Sequence, residues 1–105
     1  MRYTIRLSLR RIAAQVESGE NLSDYVVKRL RAGCPVVLVE DVPDQLSIKY
    51  MSRIKHASPY CVYIPADVDK LLCLVSNYLH CSKSVAIRYT LAHTDPLPFY
   101  IIHIH

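Results

Sequence analysis

The chain has 105 residues, of which 51% are hydrophobic and 21% are charged, and its formal net charge is +4. This length gives room for one domain over residues 1–105, and the composition is that of a folded chain and not of a disordered one. No apolar run approaches the roughly 20 residues that span a bilayer. Arginines interrupt the N-terminal segment where a signal peptide would be apolar, so we expect a cytoplasmic protein with no membrane partner.

The cysteines are spaced too widely for a metal or redox motif. They occupy positions 34, 61, 73 and 81, and no two of them form a Cys-x-x-Cys pair. This spacing excludes a zinc knuckle and a thioredoxin-type motif. In a cytoplasmic chain we expect buried free thiols and not disulfides.

The N-terminal residues alternate between apolar and polar side chains. Tyr3, Ile5, Leu7 and Leu9 fall on one face of an extended segment over residues 3–9, and polar side chains fall on the other face. This period of two predicts a half-buried strand. Residues 12–16 fit either a continuation of this strand or a short helix.

Three later segments carry helical patterns, and short β-branched runs separate them. The first helix has a cap at Asn21 or Ser23 and is expected to end at Gly33, because glycine suits a left-handed cap. The Pro-Asp pair at 43–44 opens the second helix, and the third carries apolar residues at helical spacing over 68–79. The apolar or alternating runs predict strands over residues 36–39, 60–64, 85–91 and 99–105.

Together these elements predict a single α/β domain, with an α+β arrangement as the alternative. We expect a mixed five-stranded sheet with three helices in the order β-α-β-α-β-α-β-β, and right-handed crossovers between parallel strands. No internal repeat is visible in the sequence. The first strand and the final hairpin are expected at the sheet edges, where an exposed edge can pair with a second copy to form a homodimer.

Glu40 and Asp41 would end the predicted central strand, a position where α/β proteins often carry functional groups. One interpretation is a site for a divalent metal or a phosphate. Hard cations usually need several oxygen ligands, and only Asp44 follows nearby. The favoured interpretation is therefore that Asp41 caps the next helix and that Glu40 is solvated.

Two histidines near the end of the chain also have metal-binding spacing. His103 and His105 lie two residues apart on a predicted strand, so they share a face, and His93 offers a third ligand. The alternative is an ordinary packed or solvated strand end, because chain termini fray. We expect no metal and no other cofactor.

The N-terminal strand is strongly basic. Arg2, Arg6 and Arg10 share one face, and Arg88 lies on another predicted strand that would extend this face if the strands were neighbours. Such a face suits the phosphates of RNA or DNA. The alternative is a solvated basic face or the rim of a protein interface, because most tyrosines fall on apolar faces and are not free to stack on bases.

Nucleophilic catalysis has little support. Ser58 lies near His56, but no glycine-rich elbow exposes its hydroxyl. Cys34 would follow the end of a helix, and that end does not lower the pKa of a thiol. We therefore assign no catalytic residue.

Part of the chain resembles a known family. Over about residues 24–91, and chiefly in segments 33–41 and 51–74, the sequence is similar to 3,4-dihydroxy-2-butanone 4-phosphate synthase of riboflavin biosynthesis. In that family a Gly-x-Pro-Val break leads to a strand ending in two acids, and a His-Gly-Ser-Gly loop follows after a helix. His56 and Ser58 match that loop. The resemblance implies a vestigial site formed by Glu40, Asp41, His56 and Ser58.

The departures from this family concern its catalytic parts. The family has an acidic, glycine-containing loop after the strand's acids, and this loop supplies magnesium ligation. Here Asp41 leads directly to Pro43 and a helix. The chain is also expected to lack the region with the family's second metal-binding histidine. Without these ligands a stabilising divalent ion has no cage, so the resemblance implies a shortened, non-catalytic relative.

Three functional hypotheses follow. The first is a small non-catalytic binding or inhibitor-type domain that acts on a protein partner through the basic sheet face or a sheet edge. The second is an RNA- or DNA-binding protein that uses the arginine-rich N-terminal strand. The third is a metal-dependent sugar-phosphate enzyme related to the synthase family.

Overall fold

A two-stranded ribbon and five helices make up the part of the chain that the computed structural model describes, residues 2–7, 9–52 and 58–94. The two strands pair antiparallel, with Arg2 opposite Tyr63 and Leu7 opposite Ser58. The elements in chain order are β1 (Arg2–Leu7), α1 (Leu9–Ser18), α2 (Leu22–Val39), α3 (Gln45–Ser52), β2 (Ser58–Tyr63), α4 (Ala66–Leu79) and α5 (Lys83–Thr94).

The predicted five-stranded α/β sheet is wrong. Only two of the predicted strands, 3–9 and 60–64, correspond to strands within the described residues, where they form β1 and β2. The first was predicted too long, because β1 ends at Leu7 and Leu9 begins α1. Residues 36–39 form the last turn of α2, and residues 85–91 lie inside α5. The predicted strand over 99–105 lies outside the described residues.

The alternation at the N-terminus determines how the ribbon packs. Ile5 and Leu7 of β1 and Val62 of β2 point to the same side of the ribbon and are only 1–2% exposed. Side chains on one face of a strand recur every second residue, so this face is buried and the other faces solvent. The ribbon therefore covers one side of the helical core.

Helix α2 continues past the glycine that was expected to end it. A Cβ atom built at Gly33 would lie 2.1 Å from Oγ1 of Thr94 and 2.8 Å from Cγ2 of Thr90, both in α5. The glycine therefore serves a close helix crossing and not a cap. The helix ends at Val39 and is capped by Glu40, whose backbone N–H donates to the carbonyl of Val37.

Helix α5 was predicted as a strand because its apolar residues do not follow a helical period. Ala86, Ile87, Tyr89, Thr90 and Leu91 are all buried, and α5 contacts α2, α3 and α4. A helix surrounded by other helices buries nearly every face, so the period of 3.6 residues disappears from its sequence. The alternation over 85–91 is a consequence of this burial.

The other two helical predictions were closer. Helix α4 buries Val68, Leu72, Val75 and Leu79, as its spacing predicts. Helix α3 begins where expected, with the Asp44 carboxylate accepting the N–H of Ser47 at 2.7 Å. Its core-facing residue is Ile48, whereas Leu46 and Tyr50 are largely exposed.

The structure contains a repeat that the sequence does not show: two β-α-α units, β1-α1-α2 and β2-α4-α5, joined by α3. In each unit three residues connect the two helices. The first has a positive φ, 74° at Gly19 and 54° at His80. The third caps the next helix: Asn21 accepts the N–H of Asp24 at 2.8 Å, and Ser82 accepts the N–H of Val85 at 3.2 Å.

The ribbon and the second helices of the two units are related by an approximate two-fold axis. The first helices do not follow it, because α4 packs extensively against α2 whereas α1 does not pack in the same way against α5. Thr4 and Cys61 each lie five residues before the first helix of their unit, and they are opposite each other in the ribbon. Gly33 and Thr94 are each the twelfth residue of their unit's second helix, and they approach each other at the α2–α5 crossing. Equivalent residues that meet each other lie on the axis, so it runs from the centre of the ribbon to this crossing.

None of the helices in the described part of the chain has the length and hydrophobicity needed to cross a membrane. The cysteines are free thiols, but the predicted burial holds only for Cys34: Cys73 and Cys81 are partly buried, and Cys61 is exposed.

Candidate nucleic-acid interface

The solvent-facing side of the ribbon carries a compact group of six exposed side chains, which we call the outer face. Three come from each strand, and each residue of β1 lies directly opposite one of β2. The pairs are Arg2 with Tyr63, Thr4 with Cys61, and Arg6 with Pro59. The group contains two cations and no acid.

The outer face has a definite size. Its two arginines are four residues apart on one strand, which corresponds to about 13 Å at roughly 3.3 Å per residue. The second strand lies about 4.8 Å to the side. The outer face is therefore a narrow, two-strand-wide surface with a guanidinium near each end.

The ribbon is fixed to the helices by polar contacts as well as by its buried face. The hydroxyl of Tyr3 donates to the carboxylate of Asp69 in α4, and Nζ of Lys83 in α5 lies 3.1 Å from the same carboxylate. At the other strand, the Ser23 hydroxyl accepts the backbone N–H of Tyr63 at 2.9 Å. These contacts hold both strands on the helical core, so the outer face is presented by a supported ribbon.

The pKa values in this network reflect its hydrogen bonds. The bond from Tyr3 and the neighbouring Lys83 lower the pKa of the Asp69 carboxyl. Hydrogen bonds with Cys73, Tyr3 and Asp69 raise the pKa of the Lys83 amine. Both groups are therefore ionised at neutral pH and attract each other.

The structure brings two of the four predicted basic residues together. Arg2 and Arg6 are both exposed on the outer face. Arg10 belongs to α1, and its side chain lies outside the described structure. Arg88 does not lie on the ribbon: it is in α5, where its Nε donates to the carbonyl of Ser52 at 3.1 Å and links α5 to α3.

The acidic pair follows a helix and not a strand. Glu40 caps the C-terminus of α2, and its Oε2 lies 2.7 Å from Nε2 of His93. The carbonyl of Glu40 also accepts a hydrogen bond from Tyr78, whereas Asp41 is exposed in the following loop. Glu40 thus fastens α2 to α4 and α5, a structural role.

The remaining predicted site residues are only partly described. Ser58 opens β2, but its side chain lies outside the described structure, as does all of His56. The predicted metal ligands His103 and His105 are likewise outside it. Within the described residues, no three His, Cys, Asp or Glu side chains are grouped so that they could hold a metal ion.

Sequence reasoning missed the contribution of β2 to the outer face. The strand was recognised, but its neighbour was not, so Pro59, Cys61 and Tyr63 were not grouped with the arginines. The signal was present in the alternation of this segment, where Val62 and Ile64 are the buried phase. The opposite phase must then face solvent.

Comparison with protein-family models, with curated proteins and with solved structures finds no match to this chain. The resemblance to the synthase family therefore stays a prediction from the sequence. The interpretation of the outer face rests on its own geometry and chemistry.

Proposed function

We propose that this protein binds double-stranded DNA by placing the β1–β2 ribbon, with its outer face forward, in the major groove. The observation that carries the proposal is the ribbon itself: all six outer-face side chains are exposed, whereas Ile5, Leu7 and Val62 on the opposite face are buried in the core. The basic N-terminal strand thus projects its arginines from a rigid support.

The dimensions and the chemistry both favour this groove. The major groove of B-DNA is about 12 Å wide and admits a two-stranded β-ribbon. Arginine forms paired hydrogen bonds with O6 and N7 of guanine, the commonest specific contact in that groove. The net charge of +4 favours association with a polyanion.

Duplex DNA fits the outer face better than RNA or a single strand. The major groove of an A-form RNA helix is too deep and narrow for side chains to read. Single-strand binding depends on several aromatic side chains on which bases stack. Only one of the six outer-face residues is aromatic, Tyr63.

The first test is the binding of a labelled duplex, measured by fluorescence anisotropy at several salt concentrations. We expect an affinity that falls with salt by a slope of about 0.9 for each phosphate contacted. The double substitution Arg2→Gln and Arg6→Gln should weaken binding at least tenfold. A matched control, Lys49→Gln with Lys70→Gln, removes the same charge from exposed positions on α3 and α4 and should have a much smaller effect.

Cys61 offers a second, independent test because it lies at the centre of the outer face. In a Cys73→Ser, Cys81→Ser background, a maleimide should label Cys61, which is exposed. Burial raises the pKa of Cys34 to about 11, so that thiol should remain unreactive. Saturating duplex DNA should slow the labelling of Cys61. Equal labelling rates with and without bound DNA would show that DNA binds elsewhere.

The protein-binding hypothesis uses the same surface and is separated by these measurements. If the protein-binding hypothesis is correct, the arginine substitutions should abolish binding of a protein partner. The parent chain should then show no affinity for duplex DNA even at low salt. That result would replace the DNA proposal with the first functional hypothesis from the sequence.

A further inference from the structure

The two strands of the ribbon are equivalent in backbone but different in chemistry. Counted back from the first helix of each unit, Arg2 corresponds to Pro59, Thr4 to Cys61, and Arg6 to Tyr63. Both cations therefore lie on β1. At the equivalent positions β2 has the pyrrolidine ring of proline and a phenol, neither of which carries a positive charge.

This difference bears on what the ribbon can read. A protein with true two-fold symmetry presents the same side chain to both halves of its site, and the preferred DNA sequence is then an inverted repeat. Here the backbone of the ribbon is approximately two-fold, but no outer-face residue matches its equivalent in the other strand. An inverted repeat would place the same base opposite an arginine in one half and opposite a non-basic side chain in the other.

We infer that a single chain reads one asymmetric sequence of duplex DNA, with guanines contacted by Arg2 and Arg6 of β1 and less polar base edges next to β2. The inference rests on the proposed DNA binding. Guanine offers the acceptor pair that arginine requires, whereas apolar side chains contact the methyl group of thymine. Thr4 and Cys61, on the axis, lie over the centre of the site.

The stoichiometry follows from the same geometry. Both strands of the ribbon come from one chain, and their register is fixed by pairing over all six positions of each strand. One chain therefore supplies a complete ribbon for the groove. The complex should contain one chain per site, without the second copy that a sheet edge could recruit.

The test is selection of bound sequences from a pool of random duplexes by the purified full chain, followed by sedimentation of the complex with the selected duplex. We expect a consensus that differs from its own reverse complement and a complex of one chain with one duplex. Arg6→Ala should lower the affinity for that duplex about 5- to 150-fold and relax the preference at one guanine. An inverted-repeat consensus, or two chains per minimal site, would overturn the inference.

A symmetrised ribbon provides the matched variant. Pro59→Arg, Cys61→Thr and Tyr63→Arg together give β2 the same outer-face residues as β1, and all three positions are exposed, so the fold should persist and circular dichroism checks it. The consensus selected by this variant should become an inverted repeat. An unchanged consensus would contradict the inference, because the identity of the β2 side chains would then not matter.

Failure of the inference differs from failure of the proposed function. If no duplex binds at low salt, DNA binding itself is excluded, and the inference falls with it. If duplexes bind without sequence preference, or with an inverted-repeat preference, DNA binding stands and only the asymmetric readout is excluded.

Discussion

The two β-α-α units have the same order of secondary-structure elements but different side chains at equivalent positions. The first helix has 10 residues in the first unit and 14 in the second, one further turn, yet the turns that follow have the same length and the same left-handed first residue. Where the units meet, the equivalent positions still face each other. The backbone correspondence is thus kept at the axis, although the side chains differ even there, as in the pairs Thr4 with Cys61 and Gly33 with Thr94.

The polar network at the ribbon shows the divergence most clearly. Tyr3 bonds to Asp69, the fourth residue of α4, and lies beside Lys83, the first residue of α5. Tyr60 holds the position equivalent to Tyr3, but the residues equivalent to the charged pair are Ile12 and Leu22, which pack against the core. The helices of the second unit thus bind the ribbon through a charged pair, whereas the helices of the first unit have hydrophobic side chains at the equivalent positions.

The largest effect is expected at the α2–α5 crossing, where the two units touch. Gly33→Ala would place a methyl group 2.1 Å from Oγ1 of Thr94, so either the Thr94 side chain must rotate and lose its hydrogen bond to the Thr90 carbonyl, or one helix must move. Overpacking of this kind destabilises by about 2–3 kcal/mol, more than the propensity that alanine gains over glycine in a helix. Urea unfolding followed by circular dichroism measures the change.

The same crossing supplies the control. Thr94→Ala removes the nearest obstructing atom and should recover part of the stability lost in Gly33→Ala when the two are combined. If Gly33→Ala alone is as stable as the parent chain, the close crossing is not part of the folded protein. The two-fold axis would then lose one of the two contacts that define it.

This crossing also explains how much of the fold could be predicted from the sequence. The alternation of Ile5 and Leu7, and the spacing of apolar residues in α4, depend on neighbours close in the chain, so β1 and α4 were found. The role of Gly33 depends on Thr94, far away in sequence, and the sequence pattern alone favours a helix cap. The burial of α5 on several sides depends on α2, α3 and α4, so its period was hidden.

The candidate interface divides in the same way. Arg2 and Arg6 were identified because their alternation is local. Their partners on β2 were not, since the register that sets Arg6 opposite Pro59 is a long-range contact. Arg88 was grouped with them only because α5 was read as a strand.

An intermediate effect is expected from removing one hydroxyl of the polar network. Tyr3→Phe deletes the donor to Asp69 and should destabilise the protein by about 1–2 kcal/mol at pH 7. Tyr60→Phe, at the equivalent position, should have a smaller effect because the corresponding neighbours are apolar. Equal losses in the two variants would show that the charged pair does not distinguish the units.

The pH dependence of the Tyr3 variant has a definite sign. The hydrogen bond from Tyr3 lowers the folded-state pKa of Asp69 below its unfolded value of about 3.9, so its contribution is present above that pH and is lost as the pH falls through the folded-state pKa. The stability difference between the parent chain and Tyr3→Phe should therefore shrink in acid. A difference that is constant from pH 7 to pH 3 would contradict this role for Asp69.

The smallest effect tests whether the two turns are interchangeable. His80 has a φ of 54°, in the left-handed region that glycine occupies without strain, and glycine already stands at the equivalent position with a φ of 74°. His80→Gly should therefore stabilise the protein by about 0.5–1 kcal/mol, whereas Gly19→Ala should destabilise it by about 1 kcal/mol. If His80→Gly raises the stability and Gly19→Ala lowers it, both turns require a left-handed residue at this position. Only the first unit then has glycine, the residue best suited to that conformation. Thermal unfolding of both variants decides this, and a destabilised His80→Gly would mean that the histidine side chain makes contacts worth more than the strain of its backbone.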